Sequence, residues 1–347
     1  RGEWMAPFGV SVGSLTAKLK PAQRREALAA AASGSVSLWV GTHALFQQPV
    51  AFHNLALVVV DEQHRFGVGQ RLALRDKAAA GAAHQLIMSA TPIPRTLAQA
   101  LYADLDVSVI DELPPGRSPV VTVAISSERR EQVLERIGEA CAGGRQAYWV
   151  CTLIEESDTL EAQAAEATAA QLREDLPHLQ IGLVHGRLKS IDKEAQMRAF
   201  SKGISQVLVA TTVIEVGVDV PRASIMVIDN AERLGLAQLH QLRGRVGRGA
   251  EASQCVLLYQ PPLSDAARSR LEVMRTTHDG FKIAQHDLEL RGPGELLGRR
   301  QTGLVGLKVA DPMRDGALIA GLQKVADDCL ARTPLLAHRL IERWVGS

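Results

Sequence analysis

No apolar run in this 347-residue chain is longer than a strand, so the sequence offers no membrane-spanning helix. Its four cysteines, Cys141, Cys151, Cys255 and Cys329, form no Cys-x-x-Cys pair and have no histidine at zinc spacing. That excludes a zinc framework and points to reduced thiols in a cytosolic protein. Net charge is only +1, which gives no overall pull toward a polyanion; any such ligand has to be held by local clusters. The opening residues, Arg1-Gly2-Glu3-Trp4, have no signal-peptide architecture and no initiator Met, as if the chain began in the middle of something. No repeat of 20–50 residues is evident.

What is present is a soluble, globular composition, 46% hydrophobic and 22% charged, long enough for two domains and part of a third. Short runs rich in β-branched residues alternate with helical patterns, which predicts parallel sheets with crossover helices. The strands fall at 36–40, 55–60, 85–88, 107–110, 120–125, 146–151, 181–185, 207–210, 224–228 and 254–259. Helical stretches cover 22–32, 128–142, 160–176 and 191–200. Leu-Pro-Pro-Gly-Arg-Ser-Pro at 113–119 breaks any regular element and reads as a linker between an α/β block over 1–112 and another over 120–262. After Pro261-Pro262 the strand signal disappears, and 263–347 reads as helical, interrupted by a Gly/Arg-rich loop.

The most informative dozen residues are 238–249, Gln-Leu-His-Gln-Leu-Arg-Gly-Arg-Val-Gly-Arg-Gly. Arg243, Arg245 and Arg248 are interleaved with Gly244, Gly247 and Gly249. Guanidinium groups are planar, permanently charged and suited to bidentate contact with phosphate oxygens. Glycines let the backbone approach a ligand closely. The pattern reads as a phosphate clamp that neutralises charge on a transferred γ-phosphoryl group, or more blandly as a basic helix end.

Leu55–Val60 ends directly in Asp61-Glu62-Gln63-His64. A fully buried parallel strand that delivers two carboxylates at its C-terminal end puts them where open α/β sheets bind ligands. Asp61 can hold a nucleotide-bound Mg²⁺ and Glu62 can polarise an attacking water; His64 alone reads equally as a loop histidine. Ser89 and Thr91 at the next strand end can relay hydrogen bonds, or simply cap. Thr211-Thr212, followed by Gly217 and Asp219, fits contacts to a sugar or phosphate and, by spacing alone, a helix N-cap and turn. His185-Gly186-Arg187 closes a strand and either presents Arg187 to a phosphate or forms a solvated turn. The loop from Arg291 to Gly303, with Arg299, Arg300 and Gln301, suits a phosphate backbone and equally a solvated turn.

Taken in order, Asp61-Glu62-Gln63-His64, Ser89-Ala90-Thr91, 211–221 and 241–248 resemble motifs II, III, V and VI of superfamily 2 helicases. Residues 60–70, 90–97, 232–249 and 280–303 are similar to the bacterial RecG family of DNA translocases, and the likeness covers essentially the whole chain. It implies two RecA-like parallel-sheet motor domains, the first truncated at its N-terminus, followed by a small helical region with a translocation motif. It further implies ATP and Mg²⁺ as cofactors. The implied substrate is branched double-stranded DNA, namely stalled forks and Holliday junctions, in a cytoplasmic, nucleoid-associated bacterial monomer that single-stranded-DNA-binding protein recruits.

By position, the resemblance makes Asp61 the Mg²⁺ ligand and Glu62 the residue that orients water. His64 and Gln241 couple nucleotide to domain interface, and Gly217 and Asp219 line the nucleotide site. Arg245 and Arg248 become arginine fingers reaching across the cleft. Thr42, His185, Gly186, Arg187, Thr211 and Thr212 lie near DNA phosphates, and Arg291, Arg299, Arg300 and Gln301 turn closure into motion along the duplex. Transcription-repair coupling factors share the arginine motif but usually read Asp-Glu-Glu-His where this chain has Gln63; a non-catalytic DNA-binding remnant is the other alternative. No G-x-x-x-x-G-K-[ST] occurs. The expectation is therefore a C-terminal piece, without P-loop or wedge domain, that cannot hydrolyse ATP alone and leaves a sheet edge or apolar face uncovered.

Overall fold

The structure is a computed structural model describing residues 4–17, 19–47, 49–62, 83–89, 106–112, 114, 117–152, 158–212, 220–247, 249, 252–291 and 316–344. The chain divides into two compact units, Arg1–Ala90 with Leu297–Gly306 and Thr91–Leu296 with Leu307–Ser347.

In the first unit, β1 (Val12–Leu15) pairs in parallel with β2 (Leu38–Gly41), and α1 (Pro21–Ser33) makes the crossover. Proline stands at the first turn of α1, where its missing N–H costs nothing. Gly34, at φ 73°, ends the helix in the left-handed conformation. Leu15, Ala44 and Val50 are buried there against Leu28, Trp39 and Phe52. A second parallel pair joins β3 (Leu57–Val60) to β4 (His84–Ile87).

β3 corrects one expectation. Its six-residue apolar run predicts burial on both faces, yet Val58 and Val60 are 8% and 6% exposed while Leu57 and Val59 are 57% and 52% exposed. Among the described residues, Ala83, Phe46 and Leu55 pack with its buried Val58 and Val60. Leu86 on β4 is exposed as well. A second correction concerns 107–110, read as a strand. These residues are irregular, with Ile110 90% exposed. Among the described strands none pairs with them, and an unpaired apolar run has no ladder to join.

The second unit is built on a six-stranded sheet, all of its pairs parallel. Its strands are β5 (Val121–Ser126), β6 (Gln146–Val150), β7 (Ile181–Val184), β8 (Val207–Ala210), β9 (Ala223–Ile228) and β10 (Gln254–Tyr259), in spatial order β5-β10-β9-β6-β8-β7. Along β6, odd and even residues feed opposite cores, as strand geometry requires. Ala147 and Trp149 pack with α2 (Arg130–Ala142) and α3 (Asp158–Asp175). Tyr148 and Val150 pack with α4 (Ser190–Ser201), α5 (Leu236–Arg243) and α6 (Asp265–Thr276). Val150, Val209, Ile228 and Leu257 are all fully buried, the burial expected of a parallel sheet covered on both faces.

Beyond Tyr259 the described chain is helical: α6, then α7 (Gly280–Arg291), α8 (Gly316–Arg332) and α9 (Pro334–Trp344). No described helix is long and apolar enough to cross a membrane. The cysteines are not bonded to one another. Burial pushes Cys151 and Cys255 up to about 12, so these thiols are inert packing groups.

Candidate nucleotide and nucleic-acid site

β3 delivers the acidic pair directly. Asp61 is exposed and Glu62 half-buried at the C-terminal end of this parallel strand. Glu62 stands at φ 53°, the left-handed region that a side chain enters at a cost of roughly 1–2 kcal/mol. Its backbone N–H donates to Asp61 Oδ1 at 2.9 Å, which holds the turn. Strained backbone of this kind persists only where the surrounding structure holds it. Thr42, exposed after β2, donates its backbone N–H to the Leu15 carbonyl at 3.4 Å.

The second unit presents its own groups along one sheet edge. Val184 of β7 is in register with Ala210 of β8, so the residues that follow, His185 and Thr211, emerge side by side. The Thr211 backbone N–H donates to the Val184 carbonyl at 3.3 Å. Both side chains are buried, 4% and 1% exposed. His185 Nε2 lies 3.4 Å from Glu166 Oε1, while His185 Nδ1 and Thr211 Oγ1 have no partner among the described protein atoms. Buried polar atoms of this kind call for a water or a ligand. Gly186 and Arg187 are exposed, Lys193 donating to the Gly186 carbonyl at 2.6 Å; Thr212 is half-buried.

The arginine-rich segment follows α5 and is anchored from three directions. Arg243, grouped above with the phosphate-binding arginines, is only 4% exposed. Its Nη1 donates to the carbonyls of Met274 and Thr277, both at 2.9 Å, and its Nη2 to His240 Nδ1 at 3.2 Å. These carbonyls end α6 and would otherwise lack donors, so Arg243 is a cap between helices and not part of the clamp. The reading from charge and glycine spacing is corrected by burial. Burial also lowers the Arg243 guanidinium and pushes His240 down to about 4, with the Arg243 charge adding to the effect and Asp279 opposing it. His240 is therefore a neutral acceptor at pH 7.

Past the helix, Gly247 takes φ 80°, and a Cβ there would lie 2.9 Å from Val120 Cγ2. A Cβ on Gly249 would lie 2.5 Å from the Pro221 carbonyl oxygen. Packing against the protein itself explains these two glycines. Gln241 and Arg245 are half-buried on and just after α5, and Arg245 N–H donates to the Leu242 carbonyl at 3.0 Å. His64, Gly217, Asp219, Arg248, Arg299, Arg300 and Gln301 lie outside the described residues, as does the side chain of Arg291. One contributor had no signal in any motif. Arg117, inside the predicted linker, donates through Nε to the Gly247 carbonyl at 2.9 Å and through Nη2 to the Gly244 carbonyl at 3.2 Å.

Comparison with known proteins gives the class first. Residues 124–250, which hold β6 to β9 and the arginine-rich segment, match the family model described as Helicase conserved C-terminal domain. Residues 277–339 match ATP-dependent DNA helicase RecG, domain 3, C-terminal. The chain is 62% identical over 345 residues to the ATP-dependent DNA helicase RecG of Escherichia coli (strain K12), covering 99% of this chain and 50% of that protein. It is 59% identical to the protein of that name from Pasteurella multocida (strain Pm70), with the same coverage. A solved structure of RecG bound to a three-way DNA junction superposes with a TM-score of 0.67 at 41% identity, covering 92% of this chain and 41% of that one. Over nearly its whole length the chain is similar to RecG proteins. It spans about half the length of the curated relatives it matches.

Proposed function

We propose that this chain carries motor residues of an ATP-driven double-stranded DNA translocase that remodels stalled forks and branch-migrates Holliday junctions. The observation that carries the reading is the strained Asp61-Glu62 turn at the end of β3, in a chain 62% identical to a protein named as an ATP-dependent DNA helicase. The acidic turn fits a nucleotide-borne Mg²⁺. Such an ion keeps most of its waters and phosphate oxygens and needs only one or two protein carboxylates, which exposed Asp61 supplies. Among the described residues no group of three acidic, His or Cys ligands forms an all-protein metal site.

In this reading Asp61 holds the Mg²⁺·ATP, and Glu62 accepts a proton from the attacking water. Arg245 and Arg248 offset negative charge on the transferred phosphoryl group, and His64, Gln241, Gly217 and Asp219 support nucleotide use. The buried Nδ1 of His185 and Oγ1 of Thr211, without a partner among the described residues, and exposed Arg187 support a polar ligand at the end of β7 and β8. That ligand is the phosphate backbone of branched DNA, with Thr42, Gly186, Thr212 and the loop bearing Arg291, Arg299, Arg300 and Gln301 contributing. A cytoplasmic bacterial monomer recruited by single-stranded-DNA-binding protein belongs to the same proposal, as do the boundaries 1–112, 113–119, 120–262 and 263–347 for the two motor domains, their linker and the helical region.

The test uses the full-length protein that contains this chain, assayed for DNA-stimulated ATP hydrolysis and unwinding of a synthetic fork. Glu62→Gln is expected to lower kcat by roughly 10²–10⁴-fold and to stop unwinding, with nucleotide still bound. Turnover at the wild-type rate in that variant would remove Glu62 from the chemistry.

A further inference from the structure

The segment entering β5 grips the turn after α5 at several points. Arg117 Nε donates to the Gly247 carbonyl at 2.9 Å, and Arg117 Nη2 to those of Gly244 at 3.2 Å and Val246 at 3.5 Å. Val120, three residues on, fills the space where a Cβ on Gly247 would sit. The Val120 carbonyl in turn lies 2.9 Å from His278 Nε2. Carbonyls past the end of a helix lack intrahelical donors and carry partial negative charge, so a half-buried guanidinium between them is doubly favourable. Arg245 lies between the gripped carbonyls: Gly244 precedes it and Val246 follows it. Its backbone is thus held on both sides by one side chain that lies 127–130 residues away in sequence.

We propose that Arg117 is a positioning residue for ATP turnover, which holds the Gly244–Gly247 turn in the one conformation that presents the Arg245 guanidinium to the phosphoryl group. The proposal rests on the finger role assigned to Arg245 above. Arg117 touches no nucleotide in this account and acts only through the turn. Losing it frees the peptide groups on either side of Arg245, and a finger displaced by about an ångström loses most of its effect on rate but little on ground-state binding.

The experiment is a set of variants of the full-length protein, read by DNA-stimulated ATP hydrolysis and thermal melting. Arg117→Ala is expected to lower kcat by roughly ten- to a hundred-fold, with KM for ATP within about two-fold of wild type. Arg117→Lys, which keeps the charge and one donor but cannot span Gly244 and Gly247 together, falls between wild type and Arg117→Ala. The sharpest readout is the pair Arg245→Ala and Arg117→Ala/Arg245→Ala. If Arg117 works through Arg245, the double variant turns over no more slowly than Arg245→Ala alone.

Losses that multiply in the double variant would assign Arg117 a general structural role and overturn the proposal. Impairment in Arg245→Ala beside wild-type kcat in Arg117→Ala would overturn it too, leaving the finger reading intact. Wild-type turnover in Arg245→Ala would remove the finger reading, and this inference with it. Should Arg117→Ala fail to fold, Arg117→Lys carries the test, and wild-type kcat from that folded variant overturns the proposal.

Discussion

The acidic turn after β3 and the arginine turn after α5 are held in different ways. At Asp61-Glu62 the described features are local: a hydrogen bond between neighbours and a left-handed backbone, at the end of a strand whose Leu57 and Val59 are exposed. The arginine turn is fixed from far along the chain, by Arg117, by Val120 against Gly247, and by Arg243 reaching Met274 and Thr277. In the proposed function Glu62 has to be held in a defined direction, which a short turn supplies. A finger that must meet a phosphoryl group needs a rigid mount, and rigidity comes from packing against a sheet buried on both faces. The arginine motif is thus divided, with Arg243 buried and Arg245 half-buried at the same helix end.

The largest expected effect on stability comes from breaking that mount. Arg243→Ala strands two carbonyls at the end of α6 and leaves a cavity. It should cost roughly 2–4 kcal/mol, measured as a shift of the urea midpoint. A loss no greater than a typical surface substitution would mean that Arg243 is not the cap described. By contrast, substitutions in the acidic turn should change turnover far more than stability.

A smaller effect sharpens the comparison through pH. The folded-state value of His240 is pushed below its ordinary 6.5 to about 4. The unfolded chain therefore takes up the proton first. Stability is fully present above about 6.5 and is lost as the pH falls from there toward 4. Between about pH 7 and pH 5 this amounts to something on the order of 2 kcal/mol. His240→Gln, which keeps an acceptor for Arg243, should remove that part of the acid sensitivity; an unchanged pH profile would place the titration elsewhere.

Much of this was legible in the sequence. Runs such as Val207–Ala210 and Gln254–Tyr259 are strands over the predicted residues, because a parallel sheet buried on both faces demands unbroken apolar stretches. Val12–Leu15, with Gly13 and Ser14 inside it, shows no such run, and its pairing with β2 was not foreseen. The acidic pair was visible because it ends a strand. Its left-handed backbone was not, since nothing in Asp-Glu-Gln-His codes for φ 53° at Glu62. Arg243 was misread because charge and spacing do not say which side of α5 faces inward; Leu239 and Leu242, both buried beside it, carry that information. Arg117 had no signal at all: its partners lie more than a hundred residues away, and only the folded chain brings them together.

The central claim of the proposed function is that Glu62 and Arg245 act in the same step of ATP turnover. A double-mutant cycle on single-turnover ATP hydrolysis by the full-length protein tests it most directly, using Glu62→Gln, Arg245→Ala and their combination. Groups acting on the same phosphoryl transfer are strongly non-additive, so the double variant should be scarcely slower than the worse single one. Two large losses that simply multiply would contradict the account and place the two residues in separate steps.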